Sequence, residues 1–169
     1  MKNIVAIKYI DALYYKKYEK LKFTELTTHV AMGEVISISD DHLTLSFVNK
    51  NGIPEKGLLI PKNALIFEKD TLISKKFNLS DSHIGFDIGV FWNDLVYFQN
   101  GKIPRQCTHM YSEGKLFSVT NNTLIIKNPE TIKVREKNVA GNHLGREISL
   151  VIIPKSLIAN FELYDKKLQ

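Results

Sequence analysis

Cysteine is nearly missing from this chain. Its 169 residues hold one, Cys107, so no disulfide can form within the chain. That usage suits a reducing compartment. A cysteine pair for zinc is lacking as well, and the five histidines (His29, His42, His83, His109 and His143) never fall in a His-x-x-x-His arrangement. Metal sites need several ligands converging, so neither a metal nor another cofactor is expected. Long apolar runs are lacking too: none approaches the roughly 20 residues of a membrane span. The opening Met1-Lys2-Asn3-Ile4-Val5-Ala6-Ile7 is soon interrupted by Lys8 and Asp11, which is too short a stretch for a secretory signal. A cytoplasmic protein without a membrane partner is the expectation.

Catalytic patterns are equally sparse. Gly141-Asn142-His143-Leu144-Gly145-Arg146 has two glycines but lacks the Lys-Ser/Thr ending and the strand–helix setting of a phosphate loop. His42-Leu43-Thr44 resembles one half of a two-histidine phosphoesterase, yet no second His-x-Thr or His-x-Ser follows. Cys107 and His109 are close in sequence but misaligned for a nucleophile pair on an extended strand. A non-enzymatic protein is therefore expected.

What the chain does have is apolar substance and positive charge. The hydrophobic fraction is 44%, enough for a packed core. The net charge is +5, spread along the chain, which permits an anionic partner without demanding one.

It also has an internal repeat. Ile10-Asp11-Ala12-Leu13-Tyr14-Tyr15 matches Asn93-Asp94-Leu95-Val96-Tyr97-Phe98. The run from Gly33-Glu34-Val35-Ile36-Ser37-Ile38 to Leu45 matches Gly114-Lys115-Leu116-Phe117-Ser118-Val119 to Ile126. Leu58-Leu59-Ile60-Pro61-Lys62 matches Val151-Ile152-Ile153-Pro154-Lys155. The offsets are 83, 81 and 93 for Asp94, Gly114 and Pro154 against Asp11, Gly33 and Pro61. The last one grows because the second copy carries an insertion, and insertions are tolerated in loops. A period near 80 fits duplicated domains rather than a solenoid. The boundaries expected are 1–74 for the first unit, 75–85 for a polar, turn-rich linker and 86–169 for the second unit.

Within each unit the alternation from Gly33 to Leu45 predicts a β-hairpin, with Val35, Ser37 and Ser39 on one face and Ile36 and Ile38 on the other. Asp40-Asp41 and Asn121-Asn122 take the turns. Pro61 and Pro154 cannot donate a ladder hydrogen bond and should mark strand ends. Each unit reads as four or five short strands, expected to curl into a small barrel that shields its own edges. The expected fold is thus mostly β: two tandem barrels from an internal duplication.

The order of glycine, strand, turn, strand, loop and Ile-Pro-Lys, carried by Gly33 to Leu45 with Ile60 to Ile66 and by Gly114 to Ile126 with Ile153 to Ala159, resembles the small SH3-like barrels. That group includes Sm-like, KOW and Tudor-type domains. The whole pattern also looks like small phage and bacterial proteins. The resemblance implies RNA, DNA or transcription machinery as the partner of Sm-like and KOW domains, and peptides for Tudor domains. It carries no ligand residue over to this chain.

The binding signal in the residues themselves is cations among rings. Tyr14-Tyr15-Lys16-Lys17-Tyr18-Glu19-Lys20-Leu21-Lys22-Phe23 offers lysines for phosphates and rings for bases. The contacting residues expected there are Lys16, Lys17, Tyr18, Lys20 and Lys22. The matching loop of the second copy adds Lys102 and Arg105, and the insertion adds Lys133, Arg135 and Lys137. Nucleic acid, DNA or RNA, is the favoured partner, as in a transcription or RNA-handling modifier. The alternative is a protein-interaction module. The paired His29 and His109, and the paired acids Asp11 and Asp94, read foremost as packing and turn residues inherited with the repeat.

Overall fold

The computed structural model describes residues 4–15, 28–66, 77–134 and 148–164. Among these the chain is mostly strand with no α-helix, and no helix is long and apolar enough to cross a membrane. Two compact units form, each around one antiparallel sheet. Unit 1 takes residues 1–11, 27–71 and 94–108; unit 2 takes 12–26, 72–93 and 109–169.

Unit 1 is built from β1 (Ile4–Ile10), β3 (Thr28–Ile38), β4 (His42–Lys50), β5 (Ile53–Pro61) and β7 (Val96–Phe98). They lie in the order β1-β3-β4-β5-β7. Leu45, Leu58, Leu59 and Ile60 are fully buried, which is why Leu58-Leu59-Ile60 is continuously apolar rather than alternating. Glycine is needed at two positions, one for a close approach and one for a turn. An added Cβ at Gly57 would run into the Leu45 carbonyl and sit 2.5 Å from Phe98 Cζ. The β4–β5 hairpin closes on Asn51 and Gly52, both at positive φ (52° and 79°), the pairing of signs that a tight two-residue hairpin turn requires.

Unit 2 holds β2 (Leu13–Tyr15), β6 (Asp87–Asp94), β8 (Thr108–Val119), β9 (Thr123–Lys133), β10 (Leu150–Pro154) and β11 (Ile158–Tyr164), in the order β11-β6-β8-β9-β10-β2. Its core gathers Ile88, Val90, Trp92, Met110, Leu116, Leu124, Ile126, Val151 and Ile153. Ile125, Leu150 and Ile152 bury the opposite faces of β9 and β10 under Leu13 of β2. Within the core, Trp92 Nε1 donates to Ser112 Oγ at 3.1 Å, and Ser112 Oγ meets Thr131 Oγ1 at 2.9 Å. The lone tryptophan is thus held by a buried polar relay, as a buried indole N–H requires.

The repeated blocks occupy matching elements. In both, a turn backbone bond closes the hairpin, Ser39 N to His42 O at 2.9 Å and Thr120 N to Thr123 O at 3.0 Å. In both, Pro61 or Pro154 ends a strand and leads into a 3-10 turn, Lys62–Ala64 or Lys155–Leu157. The lysine N–H of each turn bonds back to its hairpin, Lys62 to Asp41 O and Lys155 to Asn122 O, both at 2.8 Å.

Three features differ from expectation. First, neither sheet closes into a barrel: among the described residues no pairing joins β1 to β7 or β11 to β2. The sheet of unit 2 is nonetheless curled. Only Lys155–Leu157 separates β10 from β11, and so few residues reach at most about 14 Å. Flat strands four places apart would stand roughly 19 Å from each other.

Second, the compact units do not follow the two halves of the sequence. β2, from the first half, pairs with β10, Val151 facing Tyr14. β7, from the second half, pairs with β5, Leu58 facing Tyr97. The segment read as a linker, 75–85, is described from Phe77 on. There Leu79 is buried against unit 2, Phe77 meets Phe161 edge-on at 5.4 Å, and Gly85 N donates to Leu116 O at 2.8 Å.

Third, Ile36 and Ile38 are exposed, at 37% and 66%. A register shift between Val35 and Ser37 breaks the alternation, so that Val35 pairs with the buried Leu45. The same shift recurs between Leu116 and Ser118. Such bulges re-aim side chains along a strand.

Candidate nucleic-acid interface

Of the residues expected to bind, Lys102 and Arg105 are exposed in the loop after β7, and Lys133 is exposed at the end of β9 in unit 2. Lys16, Lys17, Tyr18, Lys20, Lys22, Arg135 and Lys137 lie outside the described residues.

The loop carrying Lys102 and Arg105 does not stand alone. It turns at Asn100 and Gly101, both at positive φ (58° and 70°). Gly101 N then donates to Glu55 O at 3.1 Å, fastening the loop to the tip of the β4–β5 hairpin. That hairpin tip contributes Lys50 and Lys56, both exposed. Between the two turns lies an open concavity of about 340 Å³ lined by Lys50, Asn51, Ile53, Pro54, Asn100 and Gly101, with Glu55 the acid in its wall. Among the described residues, none of Lys50, Lys56, Lys102 and Arg105 is held in an ion pair. Tyr97 of β7 is 67% exposed and offers a ring on the strand beside the hairpin. The β4–β5 hairpin tip and the loop fastened to it therefore present four solvated cations, an exposed ring and two tight turns. Lys50 and Lys56 escaped the reading of the sequence. Asn51-Gly52, a strong hairpin signal with lysines on either side, was the mark that could have found them.

The two repeated histidines do not share surroundings. His29 stacks on Tyr9, centroids 5.4 Å apart, and its Nε2 is buried with no hydrogen-bond partner among the described residues. Burial, with a bond to Tyr97, raises the Tyr9 phenol well above its ordinary value. His109 is exposed, with Nδ1 2.7 Å from Asn93 Oδ1, beside an apolar hollow of about 260 Å³ lined in part by Phe91, Met110, Val134 and Ala159. His42, next to the Asp40-Asp41 turn, is buried. Its Nδ1 lies 2.7 Å from Asp41 Oδ1 and 2.9 Å from Ser39 Oγ. The Ser39 hydroxyl foremost holds the Asp41 carboxyl below its ordinary value; burial opposes it, and His42 adds to the lowering. Serine and carboxylate share one ring nitrogen here and clasp the turn. Asp94 accepts the Leu95 N–H at 2.9 Å, the strand-end role expected of it. Cys107 is buried against Leu59 and Phe98. Burial first, then the charges of Asp41 and Asp94, push its thiol up to about 12, which leaves it inert at neutral pH. Among the described residues no three His, Cys, Asp or Glu side chains gather in a cluster able to hold a metal.

Comparison with known families, with curated proteins and with solved structures returned no match for this chain.

Proposed function

We propose that this chain is a non-enzymatic nucleic-acid-binding protein, DNA or RNA, that grips the phosphate backbone with the cationic end of unit 1. The observation that carries the reading is the joining of two basic segments by the Gly101–Glu55 bond, with Lys50, Lys56, Lys102 and Arg105 all solvated and none in an ion pair with a described residue. Cations already paired with acids bring less to a phosphate; solvated ones release condensed counterions when they bind. Tyr97 adds a ring on which a base can stack. Backbone contacts of this kind position the ligand and tolerate any sequence. The matching turns, bulges and Ile-Pro-Lys segments also support a reading of the two halves as copies of one small SH3-like unit whose short second strands have been exchanged.

The test is a gel-shift titration with single-stranded DNA, single-stranded RNA and duplex DNA at 50 and 200 mM salt. Four phosphate contacts to a duplex predict a loss of affinity of about 10²-fold between the two. No binding at the lower salt discards the reading. The alternative, a protein-interaction module, is favoured by one observation. Ile4, Val30 and Met32 on the adjacent β1 and β3 are 66%, 58% and 66% exposed, and exposed apolar patches mark protein contacts. A pull-down with and without nuclease separates the two: a partner that survives nuclease treatment supports the alternative.

A further inference from the structure

Unit 2 carries on the outer face of β11, β6 and β8 a cluster that the nucleic-acid reading does not use. Tyr111 lies across the strand beside it, because β6 has glycine at position 89. A Cβ there would collide with the Tyr111 hydroxyl and stand 2.9 Å from its Cζ. The ring then packs on Phe91, centroids 4.7 Å apart, and its hydroxyl lies beside that of Tyr164 on β11. Tyr164 is 40% exposed. Three aromatic rings from three strands thus make one surface.

The charge on this surface is negative. Tyr111 donates to Glu113 Oε2 at 2.9 Å and Tyr164 to Glu162 Oε2 at 2.7 Å. Glu113 also faces Glu130 directly across the β8–β9 ladder, and like charges so placed oppose each other. Neither Glu113 nor Glu162 meets a cation among the described residues. The nearby lysine, Lys115, is engaged with Asp87 at 3.0 Å. Burial and these bonds raise the Tyr111 phenol well above its ordinary value, so the ring remains a neutral donor.

Ring faces attract cations, and a planar guanidinium both stacks on a ring and binds a carboxylate with two parallel bonds. Phosphate is repelled by the same carboxylates. We propose that the Phe91–Tyr111–Tyr164 face, with Glu113 and Glu162, is a docking surface for an arginine-bearing segment of a protein partner. The guanidinium lies over the rings and bonds a carboxylate. The apolar hollow between Phe91 and His109 receives the side chain next to the arginine.

The site does not depend on the nucleic-acid reading, and it lies on elements of the other unit. The probe is a blocked pentapeptide, Gly-Leu-Arg-Gly-Gly, titrated into the whole chain and followed by nuclear magnetic resonance of its backbone and aromatic rings. Shifts centred on Phe91, Tyr111 and Tyr164 are expected. The same peptide with citrulline for arginine should bind at least about fivefold more weakly, since both the ring–cation and the ion-pair attraction are lost. The double variant Glu113→Gln/Glu162→Gln, which changes exposed groups alone, should also weaken binding about fivefold. Gly89→Ala keeps every ring and carboxylate yet unseats Tyr111, and should abolish the pattern of shifts. Peptide binding elsewhere, equal binding of the citrulline peptide, or shifts of this face by adenosine monophosphate in place of the peptide would each overturn the proposal.

Discussion

Removing one oxygen from the core of unit 2 should be costly. Ser112 is fully buried, Trp92 is 1% exposed and Thr131 is 5% exposed, so no water replaces a lost partner without opening the core. In Ser112→Ala the indole N–H, now 3.1 Å from Ser112 Oγ, loses its acceptor, and Thr131 Oγ1 loses the partner at 2.9 Å. The volume change is small and leaves little cavity. The cost is therefore the burial of an unsatisfied donor, about 1–3 kcal/mol. With a urea dependence of roughly 2 kcal/mol per molar, that lowers the unfolding midpoint by about 1 M. Trp92, the single tryptophan, reports the transition by fluorescence without any label. Thr131→Val should cost less, because the Trp92–Ser112 bond survives. The double variant should cost less than the two single ones together, since the partners are coupled. A midpoint for Ser112→Ala within about 0.2 M of the parent would show that the relay contributes nothing beyond packing, and would refute the assignment of its energy to hydrogen bonding.

Gly57→Ala should displace β7 from β5, because the new methyl meets backbone as well as Phe98. The result is a loss of stability of about 2 kcal/mol or more, together with faster labelling of Cys107, which packs on Phe98 and Leu59. In the parent chain the Cys107 thiol, pushed up to about 12 from 9.0, should react with iodoacetamide at pH 8 about 10²-fold or more slowly than in denaturant. The same shift sets a pH dependence. The folded state holds the thiol proton more tightly, so its stabilising contribution is complete below pH 9 and is lost as pH rises from 9 towards 12. The raised phenols of Tyr9 and Tyr111 act in the same direction. A urea midpoint that stays level from pH 9 to pH 12 contradicts this.

Much of the local structure was legible in the residues. Alternation from Gly33 to Leu45 announced β3 and β4, Asp40-Asp41 and Asn121-Asn122 marked their turns, and proline after an apolar run marked the strand ends at Pro61 and Pro154. What alternation could not show is a bulge. One extra residue at Ile36 breaks the regular pleat, and Ile36 and Ile38 are both exposed; nothing in the string Val-Ile-Ser-Ile distinguishes that from regular pleating. The pairing of β2 with β10 and of β7 with β5 was also hidden. A three-residue strand such as Leu13–Tyr15 carries no pattern long enough to name its partner, and the repeat makes β5 and β10 nearly equivalent choices. The cationic site was half legible: Lys102 and Arg105 stood out as a loop. Lys50 and Lys56 joined them only through the Gly101–Glu55 bond, a contact across 46 residues of sequence. The aromatic face of unit 2 was invisible for a related reason. Phe91, Tyr111 and Tyr164 come from three separate strands, and their meeting depends on the absence of a side chain at Gly89.

The measurement that bears most directly on the proposed function is the salt dependence of duplex-DNA affinity for the parent chain and for Lys102→Ser/Arg105→Ser. Both side chains are exposed, so the variant should unfold at the same urea concentration as the parent. If both contact phosphates, the slope of log K against log salt becomes shallower by about 1.8. A variant that binds more weakly with an unchanged slope, or one that binds as the parent does, contradicts a phosphate-gripping role for this end of unit 1.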